Sequence, residues 1–212
     1  MNKQSSFPTS EHEAQFWAQG FHHIAGLDEA GRGPWAGPVF AGAVILPHAA
    51  TRRMYLAGVQ DSKRISRNRR ETLARQILTT AIAVGVGHAT VAEIDALGIV
   101  PSTRLAMERA LASLSISPQA LLIDALTLPK ITLPQKAFPY ADALSLAVAS
   151  AGIIAKVARD AWMCDVAEDQ YPGYGFARHK GYGTRLHQQT LDRLGVCELH
   201  RKSFRPIAER LL

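Results

Sequence analysis

The chain has 212 residues, 47% of them hydrophobic, enough for one compact domain with a sizeable core and a small appendage. No run approaches the roughly 18–20 uninterrupted apolar residues of a membrane span, and the opening MNKQSSFPTSEHEAQ lacks the apolar stretch of a secretory signal, so a cytoplasmic protein is expected. Cys164 and Cys197 sit in neither CxxC nor Cys/His ligand spacing, which argues against a disulfide framework or a structural zinc site. The net charge of +6 suits a polyanionic partner, because lysines and arginines facing phosphates release counterions. The cations concentrate in DSKRISRNRR and FARHKGYGTRLHQQ. Tyr174, Phe176 and Tyr182 lie in and around the second block, a mixture suited to backbone binding with ring stacking.

In chain order, residues 1–20 are polar and read as a flexible leader with one short helix over 11–18, carrying no chemistry. HHIAGLDEAGRG reads as a strand ending in a turn, and PVFAGAVILP as a second strand bounded by Pro38 and Pro47. Leu73, Ile77, Ala81 and Val84 recur at helical spacing, and AVGVGHATV is strand-like. VPSTRLAMERALASL is an amphipathic helix with Ser102 or Thr103 as its cap. ALLID reads as a buried strand that stops at Asp124. ADALSLAVASAGIIAKVARDAW is a helix beginning close to Asp142, whose alanines and glycines allow close approach to a sheet. From residue 165 onward the chain is more polar, with turns at YPGYG and KGYGT and a helix at TRLHQQTLDRLG. These expectations divide the chain into a leader (1–20), a catalytic core (21–164) and a helical C-terminal region (165–212) that completes a substrate groove.

Gly31 and Gly33 in GRGPWAG do not make a dinucleotide loop: Gly37 comes one position late, and a strand follows where a helix should open. No GxxxxGK[ST] occurs. His22 and His23 are adjacent on a strand and so point to opposite faces, which disfavours chelation. The acids at strand tips are different, since a buried unpaired carboxylate is costly. Singly, Asp28 could cap a turn, Asp124 could join a salt bridge and Asp142 could cap its helix. Together, on a basic chain, they favour a hard-metal site for Mg²⁺ or Mn²⁺.

The blocks GLDEAGRGPWAGPV, DSKRIS, EIDALGI, LLIDAL, ADALSLAVASAGIIAKVARD, YPGYGFARHKGYGTRLH and HRKSF follow the order and spacing of ribonuclease HII, the type 2 ribonuclease H family. The chain resembles that family over residues 21–207. The resemblance implies an α/β protein with a ribonuclease H-like fold, a mixed central sheet flanked by helices and a helical C-terminal extension. It implies an endonuclease that cuts the RNA strand of RNA/DNA hybrids and single ribonucleotides in duplex DNA. Cleavage would fall on the 5′ side of the ribonucleotide at the RNA–DNA junction and leave 3′-hydroxyl and 5′-phosphate ends, serving ribonucleotide excision and primer removal. Asp28, Glu29, Asp124 and Asp142 match the family's metal-binding acids, holding two divalent ions, Mn²⁺ or Mg²⁺, one activating water and one stabilising the departing 3′-oxygen. Gly31, Arg32 and Gly33 match its ribose-reading loop, where the 2′-hydroxyl separates RNA from DNA. Tyr182 matches the tyrosine that packs on the next deoxyribose, and Arg32 and Lys63 are candidate phosphate contacts. A monomer is expected, and no clamp-binding peptide of the QxxLxxFF type is evident.

Five positions depart from the family pattern. Ala125 and Ala141 stand where glycine is usual, Leu126 where a polar residue is common, Gly152 where serine is usual and Gly98 where asparagine is usual. None removes a carboxylate. A Cβ at 125 and 141 restricts the backbone, and Gly152 within a helix costs about 1 kcal/mol relative to alanine. Two alternatives carry different expectations: another ribonuclease H-like nuclease would be indifferent to the sugar, and a noncatalytic nucleic-acid-binding protein would bind without metal and never cut.

Overall fold

A computed structural model describes residues 7–48, 58–62 and 65–212. Five strands, β1 (Ile24–Ala30), β2 (Val39–Ile45), β3 (Ala83–Ala89), β4 (Ala120–Asp124) and β5 (Gln135–Phe138), form one sheet in the order β3-β2-β1-β4-β5. β1 and β2 are antiparallel, as are β2 and β3, whereas β1–β4 and β4–β5 are parallel. The sheet is therefore mixed. Its central strands are apolar up to the acids at the ends of β1 and β4, because both faces are covered.

On one face lie α3 (Val91–Leu97) and α4 (Ile99–Ala112), packing Ile94, Ala106, Met107 and Ala110 against Leu27, Val39, Leu121 and Ile123. On the other lie α2 (Arg67–Thr80) and the long α6 (Leu146–Gln170), where Leu73, Ile77, Leu146 and Ile153 meet Val44 and Leu46. α6 rests almost directly on the strands. A Cβ at Gly26 would lie 2.3 Å from the Ala147 carbonyl carbon, and one at Gly42 the same distance from the Ala151 oxygen. Small residues on both partners permit this approach, as the composition of α6 predicts. The rest of the C-terminal region comprises α7 (Phe176–His179), α8 (Arg185–Leu194) and α9 (Arg205–Ala208). Among the described residues, no helix is long and apolar enough to cross a membrane.

Several elements differ from the sequence expectation. α2 ends at Thr80, with Ala81 as its cap and Val84 on β3, because an extended backbone at Ala81 breaks the helical period. α4 starts at Ile99, so Ser102 and Thr103 are not caps. Both are buried, and their hydroxyls donate to the Glu93 and Ile99 carbonyls at 3.1 and 2.7 Å. Asp142 does not cap α6 either: it belongs to the preceding short helix α5 (Ala141–Leu144), and the Ser145 hydroxyl accepts from the Val148 amide instead. α6 runs through residue 165, so the C-terminal region begins inside a continuous helix.

Residues 7–20 pack on the core. Within α1 (Glu11–Trp17), Phe16 meets Ile24, Leu122 and Val148, and the Glu13 carboxylate accepts from the Ser145 hydroxyl at 2.7 Å and the Ala147 amide at 2.9 Å. Glu13 therefore caps α6 from a distant part of the chain.

Candidate active site

The parallel pairing of β1 and β4 matches Leu27 with Ile123, so Asp28 and Asp124, one residue further on each strand, reach the same end of the sheet. β5 pairs Asp124 with Phe138 and leads into α5, which brings Asp142 to that end. The Ala141 amide donates to Asp124 Oδ1 at 2.8 Å, tying the two segments together. Asp28 is only 8% exposed, and its Oδ1 accepts from the Glu29 amide at 2.7 Å. Burial, then the charges of Glu29, Asp124 and Asp142, raise the Asp28 carboxyl well above the usual aspartate range. An open pocket of about 570 Å³ lies beside these acids, lined by Asp61, Asp124, Ala125, Tyr140 and Asp142 among others. Asp61, from the DSKRIS block, is an acid whose place here the sequence reading did not single out.

The donor set fits a divalent metal. Four hard carboxylates crowd one strand end, and the Asp28 charge is opposed by its neighbours, a repulsion that a cation between them relieves. Among the described residues no three acid, imidazole or thiol groups stand as a finished coordination shell.

Gly31, Arg32 and Gly33 follow β1 directly. The Arg32 guanidinium pairs with Glu29 at 3.1 Å while remaining 38% exposed, so it touches a candidate ligand and still faces solvent. The two glycines serve different ends. Gly31 has φ +96°, and a Cβ there would meet Arg159 Nε at 2.0 Å, so the protein's own packing requires glycine. Gly33 is exposed, and among the described residues no atom lies within 4 Å of its would-be Cβ, which leaves the loop open on that side.

Two buried arginines hold this loop from below. Arg201 donates to the carbonyls of Gly31 (2.6 Å), Arg32 (2.9 Å) and Gly37 (2.9 Å), and Arg159 to those of Pro38 (2.9 Å), Ala36 (3.1 Å) and Lys180 (3.1 Å). Both are fully buried. Burial lowers Arg159 to about 10, and burial with the neighbouring Arg159 lowers Arg201 to about 9, so both stay cationic at neutral pH. Two positive charges thus lie beneath a loop proposed to approach a polyanion.

Tyr182 is 40% exposed, with Lys156 Nζ 5.6 Å from its ring centre. Beneath it, three buried histidines carry one proton each, as their fixed partners require. His187 Nδ1 faces the Tyr182 carbonyl at 3.0 Å and so donates, which leaves Nε2 to accept from His200 Nε2 at 3.0 Å. His200 Nδ1 then accepts from the Cys197 amide at 2.9 Å. His179 Nε2 donates to the Tyr174 carbonyl at 2.9 Å, and its Nδ1 accepts from the Gly181 amide at 3.1 Å. The loop carrying Tyr182 is therefore hydrogen-bonded to a neutral imidazole network.

Asp28, Glu29, Asp124 and Asp142 gather at one strand end with residues 31–33 beside them, while Tyr182 stands on a separate loop that packs against residues 35–36. Lys63 lies outside the described residues. Ala125 takes a left-handed backbone, φ +56°, which glycine adopts freely and alanine at a cost of about 1–2 kcal/mol. Ala141 is fully buried among Phe16, Ile24, Leu122 and Val148. A Cβ at Gly152 would lie 2.2 Å from Asp28 Oδ2, so this glycine leaves room for the carboxylate.

The sequence reading missed Arg159, Arg201 and the histidine network. A signal existed for Arg159: Ala155, Arg159, Met163 and Ala167 recur every fourth residue of α6 and share its buried stripe, so a cation there required buried acceptors. No comparable local pattern marks Arg201, whose acceptors lie more than 160 residues away.

A five-stranded mixed sheet flanked by helices, with carboxylates from β1, β4 and α5 meeting at one end, defines a ribonuclease H-like protein. The solved structure of ribonuclease H2 from Pyrococcus horikoshii OT3 is similar, with a TM-score of 0.73 and 27% identity over 88% of this chain and 96% of that one. The family model described as ribonuclease HII matches residues 25–207. Ribonuclease HII of Desulfitobacterium hafniense (strain Y51) is 50% identical over 199 residues, which cover 94% of this chain and 75% of the relative. That of Dehalococcoides mccartyi is 50% identical over 195 residues, 92% of each chain. The chain belongs to the ribonuclease HII family, and it is an endoribonuclease. The family implies a divalent metal, in agreement with the carboxylate cluster.

Proposed function

We propose that this endoribonuclease cuts single ribonucleotides embedded in duplex DNA, and the RNA strand of RNA/DNA hybrids, on the 5′ side of the ribonucleotide. The products are 3′-hydroxyl and 5′-phosphate ends, as ribonucleotide excision and primer removal require. The observation that carries the reading is the adjacency, on one strand end, of the crowded carboxylates and the open backbone at Gly33. Asp28, Glu29, Asp124 and Asp142 are the residues to hold divalent metal, and two ions, Mn²⁺ or Mg²⁺, would supply an activated water and charge compensation at the departing 3′-oxygen.

The chain's own groups do the rest. The amides of Glu29 and Ala141 fix one oxygen of Asp28 and of Asp124, limiting how those carboxylates turn. Residues 31–33 present backbone to the ribose, where a 2′-hydroxyl separates RNA from DNA. Arg32 offers a fork to the phosphate, with Lys63 as a second cation, and the exposed Tyr182 ring packs on the deoxyribose that follows.

A labelled duplex with one ribonucleotide tests this, alongside all-DNA and RNA/DNA controls, in Mn²⁺, Mg²⁺ or chelator. A metal-dependent cut 5′ to the ribonucleotide with the all-DNA duplex intact is expected. Binding without cutting in either metal would favour a noncatalytic role, and cutting of the all-DNA duplex a nuclease indifferent to the sugar.

A further inference from the structure

We infer that Arg159 is a positioning residue that sets the separation of the two sugar-reading loops, coupling recognition of the ribose to recognition of the deoxyribose after it. This rests on the roles proposed above for residues 31–33 and Tyr182.

The geometry is specific to one side chain. Arg159 rises from α6, is fully buried, and spends its three nitrogens on carbonyls of two different segments. Nε and Nη2 donate to Pro38 and Ala36, on the segment that continues from Gly31–Arg32–Gly33 into β2. Nη1 donates to Lys180, which immediately precedes Gly181 and Tyr182. None of these partners is a carboxylate. A buried cation whose three nitrogens all face neutral carbonyls is costly, so its return is expected in placement. The planar fork fixes directions as well as distances, which a lysine ammonium cannot do.

The contacts around it leave no slack. The Trp35 amide donates to the Gly181 carbonyl at 2.9 Å. A Cβ at Gly181 would lie 2.3 Å from the Ala36 oxygen, one at Gly183 would lie 2.1 Å from the Trp35 ring, and one at Gly31 would strike Arg159 itself. The ribose loop and the tyrosine loop therefore move as one body. A substrate must present its ribose and its next sugar at that one spacing, so a ribonucleotide followed by DNA is selected as a step and not as two separate features.

The test compares kcat/KM on a duplex with one ribonucleotide and on a uniform RNA/DNA hybrid, where the sugar following the ribonucleotide at the cut is ribose instead of deoxyribose. The full chain is used with Mn²⁺, as wild type, Arg159→Lys, Arg159→Met and Gly183→Ala, each checked by thermal melting. The ratio of single-ribonucleotide to hybrid cleavage is expected to fall about tenfold in Arg159→Lys, since a displacement near 1 Å suffices for such losses. Arg159→Met, which lacks all three donors, should fall at least as far. Gly183→Ala wedges the loops apart with Arg159 intact and should lower the same ratio. A merely structural role would lower both activities together. The inference is overturned if folded Arg159→Lys keeps the ratio within about twofold of wild type. If neither Arg159 variant folds, Gly183→Ala decides by the same criterion. A wild-type enzyme that does not cut the single-ribonucleotide duplex would instead overturn the proposed function, and this inference with it.

Discussion

Acidification should loosen this protein through His187 and His200, and His200→Gln isolates the effect. Both rings are fully buried. Burial first, then His179 and each other, push His187 down to about 4; burial, with His179 a lesser cause, does the same to His200. An unfolded histidine titrates near 6.5, so between about pH 6.5 and pH 4 the unfolded chain binds more protons than the native one. Stability is then full above that window and falls as the pH drops through it. At pH 5 an unfolded ring is mostly charged and a native ring mostly neutral, which amounts to about 2 kcal/mol for each. The hydrogen-bond pattern gives the physical reason: a second proton on His187 would face the His200 N–H, and one on His200 would face the Cys197 amide. Removing one ring should therefore take about 2 kcal/mol from the stability difference between pH 7 and pH 5, or about 4–8 °C in melting temperature for a chain of this size. Asp28 and Glu13, whose pKa values are raised, push the opposite way with pH, but both proteins contain them and the comparison cancels them. Metal-free thermal melts of wild type and His200→Gln at the two pH values make the measurement. An equal loss in both proteins on going to pH 5 would refute the neutral-network assignment.

Asp28→Asn should abolish metal-dependent cleavage and yet raise the stability of the metal-free protein at pH 7 by about 1–3 kcal/mol, because it removes a buried charge opposed by three other acids; urea unfolding would read the gain. Asp142→Asn should likewise abolish cleavage with the fold retained, and a near-normal rate in either variant would defeat the ligand assignment. Tyr182→Ala should weaken cleavage at a single ribonucleotide more than within a hybrid, and equal losses would exclude a junction-reading role. Glu13 is pushed up by burial, and its Oε2 has no hydrogen-bond partner among the described residues, so its contribution is full below about pH 4.5 and is lost as the pH rises. Glu13→Gln should therefore narrow the change in melting temperature between pH 5 and pH 8, and an unchanged slope would show that native Glu13 is ionised across that range, as it is in the unfolded chain.

The fold was legible where a local period or a strand tip carried the information. The strands ending at Asp28–Glu29 and Asp124 announced themselves because an apolar run stopping at acids has few other uses, and the small residues of α6 foretold its contact with the sheet. β5 was not legible: its four residues, QKAF, are half-buried at an edge and lack alternation. Nor was the role of α1, since Glu13 finds its partners, Ser145 and Ala147, more than 130 residues on. The four acids could be named from the chain because the family blocks mark them. What holds the neighbouring loops in place could not, because Arg159, Arg201 and the histidines act on backbone carbonyls and amides, which any residue supplies and no sequence pattern displays.

The departures from the family pattern have separate structural consequences. Ala141 adds a methyl that the core between α1, β4 and α6 absorbs, so little is lost there. Ala125 adds a methyl at a left-handed position, and the strain sits one residue after Asp124, on the pocket wall. Gly152 works in the opposite sense, since its missing Cβ is what lets Asp28 Oδ2 turn toward α6. A side chain at 152 would drive that oxygen off the helix, while the Glu29 amide held the other. The residue at 152 therefore bears on how Asp28, proposed above as a metal ligand, can turn. On the proposed function, the reaction class rests on the four acids and the affinity for metal on the setting of Asp28 and the strain at Ala125, so in this chain the two are set by different residues.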